Sequence, residues 1–214
     1  MPKNVFPLDS TKPFTEQQII GHNRWHPDIP AAIHVKPGDS FRVDCREWFD
    51  GFIKNDASAQ DIRDAPVPKV HALTGSFLVD QFPAAYKAVW DFKGQIATSR
   101  HVPGVSFVGI THPGLMGTAP SAELLAKWNK REGDLIATDP DRMPPLALAP
   151  EPREAILGTL SGAEYDRVAS EAARTAPPRE NGGNQDIKNL SRGSRIFYPV
   201  FVDGAKLSVG DLHF

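Results

Sequence analysis

The chain has 214 residues, 40 % of them hydrophobic, and its 24 basic and 26 acidic side chains give a formal net charge of −2. That is enough apolar material for one large domain or two small ones with real cores, which excludes whole-chain disorder, and the scattered charges argue against a nucleic-acid partner. No apolar run approaches the roughly 18 residues of a membrane span, and Met1 to Asp9 lack the layout of a signal peptide, so a cytoplasmic protein with no membrane partner is expected.

A single cysteine, Cys45, excludes an intrachain disulfide and reads as a small buried hydrophobe. It also leaves any metal site to His, Asp and Glu. Twenty prolines and seventeen glycines keep the periodic segments short. This favours a mainly β protein with a few helices (α+β), made of β-sandwich-like hairpins with helical insertions. We divide the chain into an N-terminal β-rich segment, 1–75, and a β/helical segment, 76–214, that carries the candidate site.

In chain order, Gly21-His22-Asn23-Arg24-Trp25-His26-Pro27 comes first, with two histidines four residues apart. On a helix they would form a metal pair, but Gly21 and Pro27 close the segment too soon and Trp25 demands burial. Ala32–Glu47 reads as a hairpin around Lys36-Pro37-Gly38-Asp39, with Phe41, Val43 and Cys45 on one side. Gly51–Pro68 is polar and reads as a loop with at most a short helical turn. Pro83–Phe92 is expected to form a short helix burying Tyr86, Val89 and Trp90. Ser121 is placed to cap a longer helix in which Leu124, Leu125, Trp128, Leu135 and Ile136 recur before Thr138-Asp139-Pro140. Ser161-Gly162-Ala163-Glu164 reads as a capping box ahead of Val168, Ala169, Ala172 and Ala173, with Pro177-Pro178 as the stop. Ile196–Val202 and Ala205–His213, joined at Asp203-Gly204, have the pattern of a hairpin, with Pro199 demoting the outgoing strand to an edge or a bulge.

Four places carry chemistry. In Asn181-Gly182-Gly183-Asn184-Gln185-Asp186 the paired glycines expose backbone N–H groups beside Glu180 and a carboxylate, so the loop suits an ion or an oxyanion; it also reads as a tight turn before a strand-like Ile187–Leu190. On the last strand the two-residue period puts Asp211 and His213 on one face, roughly 6.5–7 Å apart along the strand, near enough to converge on one ion. A surface strand end with two polar residues reads equally well. His112, before Pro113-Gly114, is available as an acid, a base or a ligand, or as an ordinary turn histidine. The histidines near Trp25 are the fourth. No Gly-x-Ser-x-Gly elbow, phosphate loop or dinucleotide fingerprint occurs, which argues against serine nucleophiles and nucleotide chemistry.

Taken together, Gly21-His22-Asn23-Arg24-Trp25-His26-Pro27-Asp28-Ile29-Pro30, Ser99-Arg100-His101-Val102-Pro103-Gly104, His112-Pro113-Gly114, Ile136-Ala137-Thr138-Asp139-Pro140, Pro177-Pro178-Arg179-Glu180-Asn181-Gly182-Gly183-Asn184, Asp186-Ile187-Lys188-Asn189, Arg192-Gly193-Ser194-Arg195 and Gly210-Asp211-Leu212-His213-Phe214 resemble the acetamidase/formamidase family. The likeness runs over nearly the whole chain in family order. It implies a β-rich homo-oligomeric hydrolase that frees ammonia from a small-molecule amide such as formamide or acetamide, with a divalent metal, zinc, taking part. It points to Asn184, Asp186, Asp211 and His213 as the core of the site. Asp186, Asp211 and His213 are then the metal ligands. Asn184 and the Gly182 and Gly183 amides hold the oxyanion, and His112 or Glu180 passes a proton to departing ammonia.

Two departures are expected to matter. The family continues past Gly-Asp-Leu-His-Phe into a Ser-Gln-Gly-Asp-Gly-Glu run, whereas this sequence ends at Phe214, and an internal piece is missing where His71–Gly75 joins Phe77–Asp80 through Ser76. The alternative is therefore a non-catalytic remnant or an interaction module. A γ-lactam or other cyclic-amide hydrolase on the same scaffold is a further reading.

Overall fold

The computed structural model describes residues 1–46, 49–56, 58–64, 87–142 and 148–214. Among these the chain runs through β1 (Lys3–Phe6), β2 (Arg24–Trp25), β3 (Phe41–Val43), a one-turn helix α1 (Gln60–Arg63), β4 (Trp90–Lys93), β5 (Ile96–Ser99), β6 (Ser106–Val108) and β7 (His112–Gly117). It continues through α2 (Ala122–Thr138), α3 (Gly162–Glu171), β8 (Ala173–Arg174), β9 (Pro178–Arg179), β10 (Gly182–Asn184) and β11 (Ser208–His213). The result is an α+β fold of small sheets.

An antiparallel sheet ordered β11-β7-β10-β9 is the centre of interest, beside a β4-β5-β6 meander and the pairs β1-β3 and β2-β8. None of the described helices is long and apolar enough to cross a membrane.

The helix starting at Ser121 forms as its sequence dictates. The Ser121 hydroxyl accepts the Leu124 amide at 3.1 Å, satisfying one orphan donor of the first turn. α2 buries Leu125 and Trp128 against Trp25 and Ala173. Its apolar stripe stops there, since Leu135 is exposed. α3 buries Val168 and Ala169 against Ile29, Ala155 and Leu157. Its expected capping box does not form: Gly162 takes a φ of 58° and the Ser161 side chain caps nothing.

Three other expectations are corrected. The Lys36–Asp39 turn closes, with the Asp39 amide donating to the Lys36 carbonyl at 3.0 Å. Among its described residues only Phe41–Val43 becomes a strand, however, and it pairs parallel with β1 rather than back on the segment before the turn. Trp90–Phe92 begins a strand, not the end of a helix, because the ring of Trp90 packs on Phe107 across the meander, with centroids 4.8 Å apart. Tyr86 lies outside the described residues.

Ile196–Val202 forms no strand. The turn at Asp203-Gly204 closes, but Ala205 and Lys206 follow it at φ of 58° and 46°. The chain is thereby carried away from the outgoing segment, and β11 pairs with β7 instead.

Candidate functional site

β7 and β11 run antiparallel with His112 opposite His213 and Leu115 opposite Gly210, a register that sets Asp211 across from Gly114. After β10 the chain leaves the sheet at Gln185 and Asp186, whose amides both donate to the Gly114 carbonyl, at 2.7 and 3.2 Å. Two chain segments, β11 and the stretch after β10, thus deliver Asp186, Asp211 and His213 to one point beside β7. One ligand atom from each lies within 4.8 Å of the others. His213 Nε2 is 3.2 Å from Asp211 Oδ2 and 3.6 Å from Asp186 Oδ1.

Both carboxylates sit on left-handed backbone, Asp186 at φ 48° and Asp211 at φ 49°. Aspartate enters this region more readily than most residues, but still at some cost in strain, and such strain concentrates where a side chain must be aimed. Gly114 forms the floor. A Cβ there would lie 2.7 Å from His213 Nε2, 2.7 Å from the Asp211 carbonyl oxygen and 2.8 Å from Asp186 Oδ1. Only a glycine leaves the cradle open.

This donor set suits a divalent ion. Two carboxylates and an imidazole are hard and borderline ligands of the kind that bind zinc, with metal–ligand distances of about 2.0–2.2 Å. Two ligands of one tetrahedral ion then lie about 3.3 Å apart. The separations of 3.2 and 3.6 Å around His213 bracket that value.

His112 flanks the cluster, its ring 5.2 Å from that of His213 in an edge-on arrangement. His112 Nδ1 lies 2.9 Å from the Ile110 carbonyl oxygen. A carbonyl only accepts, so the neutral ring carries its hydrogen on Nδ1 and leaves Nε2 free to accept a proton.

The remaining residues named from sequence do not join the cluster. Gly182 and Gly183 are not an open loop: at φ of 106° and 76° they form the buried inner strand β10, flanked by β7 and β9. Asn184 is the cross-strand partner of Leu115, and alternation along β7 sets Leu115 on the face opposite Gly114. Asn184 Oδ1 is buried with no hydrogen-bond partner among the described residues. Ile187–Leu190 is not a strand but leads into a 3-10 turn, Lys188–Leu190. Glu180 turns toward α2, where its carboxylate accepts from Arg131 at 2.8 Å and from the Trp128 indole at 2.7 Å. The Arg131 guanidinium, with lesser help from a backbone amide and the indole, brings its pKa down to about 2. It therefore carries no proton at neutral pH.

On the N-terminal side a cavity of about 540 Å³ reaches as far as Asp211. Phe41, Val43 and Cys45 line it, but so do Asp44 and Arg46 from the other side of the expected alternation, and burial pushes the Cys45 thiol up to about 11. His26 is not paired with His22 but contacts Glu171 at 2.9 Å. His22 instead meets Ser208 of β11, Nε2 to Oγ 2.7 Å. Sequence reasoning missed this pair. The two residues are 186 positions apart, and no local pattern connects them.

The sequence profile of the Acetamidase/Formamidase family matches residues 7–81 and 74–214, two parts that overlap at the join singled out from the sequence, which lies outside the described residues. An acetamidase of Mycolicibacterium smegmatis is 52 % identical over 261 aligned positions, covering 100 % of this chain and 64 % of that protein. A formamidase of Methylophilus methylotrophus is 48 % identical, covering 99 % of this chain and 62 % of its own length. Among solved structures, a gamma lactamase from Delftia acidovorans superposes with a TM-score of 0.90 at 44 % identity, over 99 % of this chain and 62 % of that one. The chain thus spans 62–64 % of the length of these relatives. With both parts of the family profile matched and about half of all aligned residues identical from end to end, the chain belongs to the acetamidase/formamidase family.

Proposed function

We propose that this chain hydrolyses short aliphatic amides to a carboxylate and ammonia, using the Asp186–Asp211–His213 cluster to hold a divalent metal, zinc by preference. The observation that carries this reading is the convergence of those three donors over the bare Cα of Gly114. Two relatives named acetamidase and formamidase support the substrate class.

Amides resist water, so a nucleophile must be generated and the developing charge stabilised. A bound divalent ion supplies that by lowering the pKa of water from about 15.7 to about 7 and polarising a carbonyl oxygen. The protein's own residues do the rest. Asp186, Asp211 and His213 would hold the ion and the two carboxylates would balance its charge, with Gly114 keeping the space between them clear. His112, with Nε2 free, takes a proton and passes it to the departing ammonia. We assign Glu180 the role of anchoring β9 and β10 to α2, because its carboxylate is engaged there and stays ionised. The Gly182 and Gly183 amides, enclosed in β10, and Asn184, on the far face, are not assigned to the oxyanion.

The test is ammonia release from formamide and acetamide by the purified protein, before and after a chelator and again after zinc. Turnover that disappears and returns supports the reading. Turnover indifferent to the chelator rejects the metal, and no turnover by protein that holds zinc leaves a binding module as the answer. A second reading, hydrolysis of a cyclic amide, is favoured by the likeness to a gamma lactamase. A γ-lactam turned over faster than acetamide would select it.

A further inference from the structure

The cavity beside β11 contains a second reactive pair that no step above uses. The Ser208 hydroxyl lies 2.7 Å from His22 Nε2, and His22 Nδ1 lies 2.6 Å from the Arg24 carbonyl oxygen. Because a carbonyl cannot donate, the hydrogen of the neutral ring sits on Nδ1, Nε2 presents its lone pair, and Ser208 is the donor. A hydroxyl aimed at a base whose tautomer is fixed by a third group is the arrangement of an activated nucleophile. The Trp25 ring meets the imidazole edge-on at 5.8 Å and fixes its plane. Burial, with a smaller contribution from the Lys206 charge, holds the imidazole below its ordinary pKa despite the Arg24 carbonyl, so the ring is a neutral base at pH 7.

Both groups line the cavity of about 540 Å³, whose other walls include Phe14, Ile20, Ile29, Val43 and Leu115. That volume far exceeds what formamide needs, and the apolar walls select a carbon chain. Lys206 lines the same cavity two residues before Ser208, its ammonium donating to the Pro27 and Ile29 carbonyl oxygens.

We propose that Ser208 is a nucleophile, with His22 as its general base, toward esters and amides whose apolar acyl group of several carbons occupies this cavity. Ser208 Oγ bonds to the acyl carbon while its proton passes to His22 Nε2. The bond to the alcohol or amine then breaks, and that proton leaves with it. Water repeats the relay, giving up a proton to Nε2, and frees the carboxylic acid and the serine. None of this rests on the metal reading.

The test uses phenylmethylsulfonyl fluoride on the purified chain with a chelator present throughout, and peptide mass spectrometry to locate the adduct. The expected result is one sulfonyl group per chain on Ser208, absent in Ser208→Ala and formed about a hundredfold more slowly in His22→Gln. No adduct at Ser208, or an equal rate in His22→Gln, overturns the proposal. Should His22→Gln not fold, the parent decides. A burst of one equivalent of p-nitrophenolate from p-nitrophenyl butyrate, abolished by prior sulfonylation, supports the proposal, and the absence of a burst overturns it.

Discussion

Replacing Gly114 with alanine probes the floor of the carboxylate–imidazole cluster with the smallest possible change. The added Cβ would stand 2.7 Å from His213 Nε2 and from the Asp211 carbonyl oxygen, and 2.8 Å from Asp186 Oδ1, about 0.7 Å short of ordinary contact at 3.4 Å. The Asp211 carbonyl oxygen, being backbone, does not yield easily. The Gly114 carbonyl is clamped by the amides of Gln185 and Asp186, and β11 is registered to β7 on both sides of Asp211. The strain of such overpacking is about 1–3 kcal/mol. It falls on the atoms that would ligate a metal, where displacements of this size weaken binding about ten- to hundredfold. Zinc affinity by competitive titration and thermal unfolding with and without zinc measure the two effects. Gly114→Ala should bind zinc at least about tenfold more weakly and gain correspondingly less stability from it. A variant that binds zinc as the parent does and unfolds at the same temperature would show that Gly114 is not the floor of the cluster.

Other outcomes follow from the same structure. The His22 imidazole has a lowered pKa in the fold, against an ordinary value of 6.5. The unfolded chain therefore takes up the proton first, so His22 contributes stability above pH 6.5 that is lost as the pH falls below it, with a slope of at most about 1.4 kcal/mol per pH unit. Chemical denaturation from pH 8 to 5 should show that slope, and His22→Gln should flatten it. Glu180 runs from an ordinary 4.5 down to about 2. The stability it adds is present above pH 4.5 and disappears as the pH falls through about 2. Its side chain is 46 % exposed, so screening keeps the benefit small. Arg131→Ala should cost under about 1 kcal/mol at pH 7 in a denaturant titration, and only a small remainder of that at pH 2. Trp128, fully buried and hydrogen-bonded to Glu180, anchors α2, so Trp128→Ala should lower stability by about 3–5 kcal/mol in the same assay.

The parts of this protein that could be read from sequence are those set by local physics. Ser121 capped its helix because the amide it satisfies is three residues away. The burial of Val168, Ala169, Ala172 and Ala173 followed from their spacing on α3 and just beyond it. Asp211 and His213 share a strand, so a two-residue period sufficed to bring their side chains together. Asp186 was legible as the carboxylate of a glycine loop suited to an ion, but its grouping with Asp211 and His213 entered only through the family likeness, since the Gly114 carbonyl that draws it in lies on β7. Expectations failed where pairing was decided at long range. Asp203-Gly204 formed a turn, but the left-handed residues after it sent β11 to β7. Gly182-Gly183 looked like an exposed loop because glycine pairs usually are; between β7 and β9 the same flexibility serves a buried strand. The His22–Ser208 contact joins the N-terminal segment to the last strand, and no window of sequence contains both.

Asp186, Asp211 and His213 are proposed to hold a metal. Equilibrium dialysis against zinc, with Asp211→Asn compared with the parent and folding checked by circular dichroism, tests it directly. The parent chain should bind about one zinc, and Asp211→Asn should bind it at least about tenfold more weakly. Equal zinc binding by the two proteins, or none by either, would contradict it.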